Sequence, residues 1–198
     1  MKKLFLVIMA LSLLLVTGCG KESLSSQEQG SGYTVVDARG KKITFTSAPK
    51  RIVCLNYSAT DILTDLIPTE RIIATDMWAR EEDLSNCYEK LKGIPVCENN
   101  PEQIMKFNPD IVILTEGRAN ELADTLDSVG IKTCVLRQPK TIQEIPDYIK
   151  IVGEVADTKA AADSLAEKVA AYIKASAGGQ KIESVSVSYT HLTLPTIL

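Results

Sequence analysis

Polar and aromatic side chains follow each predicted buried strand of the chain, at the point where the strand ends. The one tryptophan, Trp78, can stack on a flat ligand, and arginines in these loops can bind a carboxylate through two parallel hydrogen bonds. The residues that we expect to contact a small ligand are Asn56, Tyr57, Ser58, Met77, Trp78, Arg80, Asn99, Thr115, Arg118 and Arg137. Loops between strands and helices are also polar because they meet water, and this alternative stays open for each residue taken singly.

Catalytic chemistry finds little support in the sequence. The one histidine, His191, lies near the end of the chain, so the preceding sequence offers no histidine base for a serine or cysteine nucleophile. Residues 40–42, Gly-Lys-Lys, do not form the phosphate-binding loop of an ATPase. The shortage of histidine also disfavours a zinc or manganese site. We therefore expect a protein that is not an enzyme and holds no metal or cofactor, with an exported enzyme that uses Asp76 and Glu116 as an alternative.

The stretch NNPEQIMKFNPDIVILTEG, residues 99–117, predicts a short helix followed by a buried strand. Asn100 can cap the helix, and Pro101 suits its first position because the missing N–H would have no partner there. Phe107 ends the helix. Pro109 disfavours helix at the residue before it, so we expect the chain to extend into the apolar strand Ile111–Leu114.

Similar units occur along the chain and predict an α/β fold. Apolar runs predict strands at 51–55, 71–74, 93–96, 111–114 and 131–136, and a hairpin is predicted from 33–37 and 43–46. Helical periodicity predicts one helix capped by Ser58, another over 119–129, and a third that begins at Thr141 and is kinked by Pro146. This alternation favours a parallel sheet with helices on both faces, which is a three-layer lobe. Ligands bind at the carboxyl ends of the strands in such sheets.

The longest helical pattern covers Asp157 to Ser176 and would extend about 30 Å at about 1.5 Å per residue. Periodicity alone allows two interpretations of this helix. It either closes a single domain or connects the domain to a further one.

Several of these segments resemble the N-terminal lobe of the substrate-binding proteins of ABC importers for iron-siderophore complexes, haem and cobalamin. The resemblance rests on residues 99–117, on Val36-Asp37 with Gly40, and on Pro49-Lys50-Arg51-Ile52-Val53. Two further segments, Ser58-Ala59-Thr60-Asp61-Ile62-Leu63 and Val129-Gly130-Ile131, follow in the expected order.

The resemblance implies a function and a set of partners. It implies that the polar loops of the lobe, 33–156, face a second lobe across a cleft that holds a ferric siderophore, cobalamin or haem. It implies that the long helix, 157–177, links the two lobes, and that Glu102 docks against an arginine of the membrane permease, which works with an ATPase subunit. A sensory or adhesive domain that binds a partner protein through the same loops is the rival interpretation.

The first residues predict export. Lys2 and Lys3 precede thirteen residues without charge, and Thr17-Gly18-Cys19 resembles a lipoprotein cleavage site. We expect a signal peptide over 1–18, a lipid on Cys19, a flexible tether over 19–32, and an extracytoplasmic protein anchored to the cell membrane. An ordinary signal peptide with an incidental cysteine is the alternative.

The last residues predict an interrupted second lobe. Residues 181–187 alternate like its first strand, whereas 188–198, SYTHLTLPTIL, change character and are expected to be non-native, with most of the second lobe missing. The net charge of −3 gives no reason to expect nucleic-acid binding, and we expect a monomer. Cys54 and Cys134 fall in predicted strands, whereas Cys87 and Cys97 flank a loop and are either bridged or free.

Overall fold

A computed structural model describes residues 32–117 and 119–177 of the chain. Several predictions fall outside these residues: the signal peptide, the lipid on Cys19, nearly all of the tether, the ligand contact of Arg118, the start of a second lobe at 181–187 and the non-native character of 188–198. Within the described ranges, no helix combines the length and the apolar character that crossing a membrane requires.

The N-terminal hairpin is confirmed. Strands β1 (Tyr33–Val36) and β2 (Lys42–Phe45) pair antiparallel, with Tyr33 opposite Phe45. The two rings stack with centroids 4.8 Å apart, and the Tyr33 hydroxyl donates to the Val155 carbonyl at 3.0 Å. The hairpin is therefore held against the helical layer.

Four parallel strands form the main sheet, as predicted. They are β3 (Ile52–Leu55), β4 (Ile72–Thr75), β5 (Ile111–Thr115) and β6 (Thr133–Leu136), in the spatial order β4-β3-β5-β6. The predicted strand at 93–96 is wrong in extent, because only Val96 forms a bridge there, with Thr75. The predicted strand contains Gly93 and Pro95, which both disfavour strand pairing, so it pairs at one residue only.

Five helices connect and follow the strands in the described residues. They are α1 (Tyr57–Leu66), α2 (Pro101–Lys106), α3 (Ala119–Ser128), α4 (Ile145–Ala156) and α5 (Lys159–Ala177). Short 3-10 helices lie at Thr69–Arg71, Trp78–Arg80, Glu89–Leu91 and Ile142–Glu144.

Three local predictions are corrected. Asn56, not Ser58, caps α1, because its side-chain oxygen accepts from the Ala59 amide at 3.0 Å. Pro146 lies in the first turn of α4 and produces no kink, since an N–H at that position would have no helical partner. Asn108 does not extend before Pro109 but takes a left-handed conformation with φ of 45°, which asparagine tolerates better than most residues.

The core lies on both faces of the sheet and confirms the three-layer lobe. Alternate strand residues point to opposite sides: Cys54 and Ile113 pack with α1, α4, α5 and the hairpin, whereas Val53 and Val112 pack with α2 and α3. Cys87 belongs to the first cluster and Cys97 to the second. All four described cysteines are buried and free, so the possible Cys87–Cys97 bridge is not formed.

Both edges of the sheet are covered. At β6 the Val135 carbonyl accepts from the Ala38 amide at 2.8 Å, and the Val135 amide donates to the Asp37 carboxylate. At β4 the Thr75 amide donates to the Pro95 carbonyl, and the Thr75 carbonyl accepts from the Cys97 amide at 2.8 Å. One loop thus pairs with the backbone of one residue on each edge strand, Val135 on β6 and Thr75 on β4.

Helices α4 and α5 form a close antiparallel pair. Asp157, in the left-handed conformation, ends α4 and lets the chain turn. A Cβ atom built on Gly153 would lie 2.1 Å from Cβ of Ala162, so the two backbones approach more closely than any larger residue allows. The far end of α5 leaves this contact, and Tyr172 is exposed.

Candidate functional site

The residues that follow the four parallel strands lie along one edge of the sheet, which we call the ligand rim: residues 56–58, 76–80, 116–117 and 137–138. Strand β3 leads to β4 on one side, whereas β5 and β6 lie on the other. The order of connection therefore reverses between β3 and β5, and such a switch point is where ligands bind in open α/β sheets.

Asn56 is at the switch point but is buried, with 1% of its surface exposed. Its Oδ1 atom accepts hydrogen bonds from the Ala59 amide, from Gln138 Nε2 at 3.1 Å and from the Tyr148 hydroxyl at 3.0 Å. Its Nδ2 atom is buried without a partner among the described residues. Asn56 thus connects three segments, and its contact with a ligand remains a prediction.

Tyr57 and Ser58 are also buried at the start of α1. The Tyr57 hydroxyl donates to the Leu84 carbonyl. The structure therefore places these two side chains inside the lobe, where they support the rim from below.

Met77 and Trp78 are the large apolar side chains that the rim exposes. About half of each is accessible, 51% for Met77 and 52% for Trp78. Both lie at the 3-10 turn that follows β4, and Ala79 anchors this turn in the core. A half-exposed indole beside a flexible thioether forms a surface on which a flat or macrocyclic ligand can pack.

Arg80 has other partners in the structure. Its Nη1 atom donates to the Leu91 carbonyl at 2.9 Å and also to the Ile94 carbonyl, and its Nε atom is buried. The guanidinium therefore fastens the turn to the loop that follows, which leaves its predicted ligand contact with less support.

Arg137 lies at the opposite end of the rim and is exposed. Its Nε and Nη2 atoms bind the two oxygens of Glu116 at 2.9 and 3.1 Å, across the ends of β6 and β5. The hydrogen bond from Arg137 lowers the pKa of Glu116 and raises that of the arginine in turn. Arg137 also borders a pocket of about 380 Å³ that extends past Tyr148 and Ile151 to the hairpin.

The remaining predicted contacts flank the rim. Thr115 ends β5 and is half-buried, and Asn99 is exposed just before α2. Neighbouring strands lie about 4.8 Å apart, so the ends of β4 and β6 are separated by roughly 14 Å, the width of a large chelate. The described part of the chain holds no group of three histidine, cysteine or acidic side chains arranged for a metal ion.

Glu102 lies in the first turn of α2. The helix is capped by Asn100, whose side-chain oxygen accepts from the Gln103 amide at 3.0 Å, with Pro101 at its start, as predicted. Glu102 is exposed, with the dipole of the helix favouring its charge.

The sequence missed two members of the site. Glu116, the partner of Arg137, and Tyr148, which reaches Asn56 from α4, were not among the predicted contacts. Glu116 follows β5 by one residue, and Arg137 follows β6 by one residue. Because β5 and β6 are neighbours, alignment of the strand ends would have predicted this ion pair.

Comparison with known proteins places this architecture in a family. The family described as periplasmic binding protein matches residues 52–182, well over half of the chain. The chain belongs to the periplasmic binding protein family. A relative from Bacillus subtilis, the uncharacterized ABC transporter substrate-binding lipoprotein YvrC, is 24% identical over 83% of this chain and 54% of its own length. A cobalamin-binding protein of Halobacterium salinarum is 24% identical over 65% of this chain and 35% of its own.

Solved structures of the periplasmic binding protein family share the fold. The crystal structure of the heme binding protein HmuT superposes with a TM-score of 0.62 at 20% identity, over 74% of this chain and 48% of HmuT. This chain thus spans about half the length of YvrC and of HmuT. The superposed part corresponds to part of a lobe, and it confirms the predicted α/β fold class.

Proposed function

We propose that this chain is the N-terminal lobe of an extracytoplasmic substrate-binding protein of an ABC importer, which captures a metal chelate and delivers it to a membrane permease. The observation that carries the proposal is an exposed indole on the ligand rim of a parallel sheet with a switch point, in a chain that belongs to the periplasmic binding protein family. The lipoprotein name of YvrC supports a lipid anchor, for which Cys19 is the candidate. The chemistry of the lobe is capture and release, without turnover.

We propose a ferric siderophore as the first candidate ligand, with haem and cobalamin next. A large flat or macrocyclic chelate matches the span of the rim, with Trp78 and Met77 at one end and Arg137 at the other. The names of the relatives support haem and cobalamin as alternatives. Asn99, Thr115 and Arg118 complete the proposed contacts, and helix α5 is the proposed link to the second lobe.

Titration of the purified chain tests ligand capture, because Trp78 is its only tryptophan and reports directly. A ferric hydroxamate, haem and cyanocobalamin are added separately, with N-acetyltryptophanamide as the control for light absorption by the ligand. We expect saturable quenching by one of the three. Quenching that matches the free tryptophan compound for all three would refute capture of these chelates.

Calorimetry of Trp78→Ala then tests the role of the indole. We expect at least tenfold weaker binding of the ligand found above, which corresponds to about 1.4 kcal/mol of lost packing. Met105→Ala is the matched control, because Met105 is similarly exposed but lies on α2, away from the rim. Equal losses in the two variants would remove Trp78 from the site.

We propose that Glu102 docks against a basic side chain of the permease. Its position in the first turn of α2 supports a charge that is both stabilised by the helix and available to a partner. Glu102→Arg should abolish uptake in cells that depend on the importer while ligand affinity is retained. Glu70→Arg, an exposed acidic residue at the opposite edge of the sheet, is the control, and full uptake by Glu102→Arg would disprove docking.

A further inference from the structure

The turn that presents Trp78 is held by contacts of its backbone, since nothing within residues 32–117 and 119–177 forms a hydrogen bond with the indole itself. Behind the turn, Arg80 is fastened to the loop at Leu91 and Ile94. In its middle, Ala79 is fully buried. The orientation of the indole therefore depends on what holds the front of the turn.

Asp76 is at the front of the turn, directly after β4. Its amide donates to the Cys54 carbonyl at 3.3 Å, which fixes the residue to β3. Its Oδ1 atom accepts from the Ala79 amide at 2.9 Å. The backbones of Trp78 and Tyr57 also lower the pKa of the carboxylate. One half-buried carboxylate thus gathers amides from the Trp78 turn and from the start of α1.

We propose that Asp76 is the positioning residue of the ligand rim, holding the Trp78 turn against the first turn of α1 so that the indole faces the ligand. The part of this inference that concerns a ligand rests on the proposed function. The geometric part, that Asp76 fixes the indole, holds for the free protein and is tested there. Asp76 does not touch the ligand; it acts through the backbone of the Trp78 turn, chiefly through the Ala79 amide.

The surroundings of Asp76 make the interaction sensitive to pH. Burial raises the pKa of Asp76, which outweighs the lowering by the three backbone amides. The Cys54 thiol on β3 faces it, and burial raises the pKa of that thiol to about 12, so it stays neutral in acid. As pH falls through the raised pKa, the carboxylate gains a proton and its hold on the amides weakens. The indole should then become more mobile.

Tryptophan fluorescence of the free, full chain tests the positioning role. In Asp76→Ala we expect emission at longer wavelength and an acrylamide quenching constant raised about twofold, with unchanged far-ultraviolet circular dichroism. Asp61→Asn is the matched control, because Asp61 is also half-buried with a raised pKa but lies on α1 beside Asn86 and Cys87. Wild-type emission and quenching in Asp76→Ala would overturn the proposal.

Asp76→Asn keeps an acceptor oxygen without the charge and decides the matter if the alanine variant does not fold. In the wild type and in Asp61→Asn, emission should change with a midpoint above the ordinary aspartate pKa of about 3.9. In Asp76→Asn that transition should disappear, and its persistence would contradict the proposal.

Ligand titration by calorimetry separates this proposal from the proposed function. Asp76→Ala should weaken haem binding at least fivefold, and Asp76→Ala combined with Trp78→Ala should bind no worse than Trp78→Ala alone. If haem, cyanocobalamin and the ferric hydroxamate all fail to bind the wild type, the proposed function fails while the fluorescence result on Asp76 stands. Additive losses in the double variant would show that Asp76 acts independently of the indole.

Discussion

At the scale of single residues, the rim contains two kinds of side chain. Asn56, Tyr57 and Asp76 face inward and hold backbone segments together, whereas Met77, Trp78 and Arg137 are exposed. Arg137 differs from Met77 and Trp78 because it already has a partner: Glu116 accepts hydrogen bonds from its Nε and Nη2 atoms. Any carboxylate on a ligand has to compete with Glu116 for the guanidinium.

Single substitutions of Arg137 and Glu116 should change the affinity for haem in opposite directions. Arg137→Gln should weaken haem binding roughly fivefold through loss of a charge-assisted contact, whereas Glu116→Gln should strengthen it by freeing the arginine. Calorimetric titration of both variants with haem, which carries carboxylates, provides the measurement. Cyanocobalamin, whose side chains end in amides, is the control ligand. A weaker complex in both variants would show that the pair acts as one unit in the site.

The burial of Asn56 and the occupation of Arg80 explain why the site was harder to predict than the fold. Both residues are polar and follow buried strands. The local sequence therefore does not show that they are less accessible to a ligand than Trp78 is. Tyr148 binds Asn56 from 92 positions away, and the carbonyls of Leu91 and Ile94 reach Arg80 from another loop. These contacts depend on how the connections pack, which periodicity does not specify.

At the scale of elements, the α4–α5 pair depends on small residues at its crossing. Gly153 meets Ala162 there, and Ala156 and Ala166 are buried in the same cluster. Small side chains allow the helices to approach closely, and the close approach fixes where α5 begins its path away from the lobe.

Gly153→Ala tests this packing. Overpacking costs about 1–3 kcal/mol, which should exceed the gain of about 1 kcal/mol in helix propensity, so we expect a lower free energy of unfolding in urea. Combining it with Ala162→Gly should recover much of the loss, because the added methyl then has space. Ala161→Gly, at an exposed position of α5, measures the propensity cost alone. Unchanged stability of Gly153→Ala would mean that the helices are farther apart.

Most elements were predictable because their signals are local. Short, mainly apolar segments predicted β3 to β6, and the Asn100-Pro101 start of α2 was confirmed. The incorrect predictions concerned single residues, but tertiary contacts explain them. Asn56 precedes Ser58 as a capping residue, and its side chain is turned toward the Ala59 amide by the contacts it makes with Gln138 and Tyr148. Pro146 fits equally well at a kink and at a helix start.

At the scale of the whole molecule, the sheet separates the core into two clusters and with it the cysteines. Cys87 belongs to the cluster on one face and Cys97 to the cluster on the other, and both are free thiols. Burial raises the pKa of Cys97 to about 11 and that of Cys54, Cys87 and Cys134 to about 12. All four thiols are therefore protonated at neutral pH, and the thiolate is the reactive form.

Thiol titration checks this arrangement. The four described cysteines should react slowly with an aromatic disulfide reagent in the folded chain and rapidly after denaturation. A reducing agent should leave the melting temperature unchanged, because no bridge contributes to stability. Peptide mapping under non-reducing conditions is the direct measurement, and recovery of a Cys87–Cys97 linked peptide from folded protein would contradict the structure.

The two loops that cover β4 and β6 have a consequence for crowding. A lipid anchor would concentrate many copies in two dimensions on a membrane, where unpaired strands polymerise readily into fibrils. Here Asp37 and Ala38 close one border and Pro95 and Cys97 the other. A neighbouring copy would have to displace these loops before it could add a strand at Val135 or Thr75, which disfavours joining of lobes through the main sheet even on a densely covered surface.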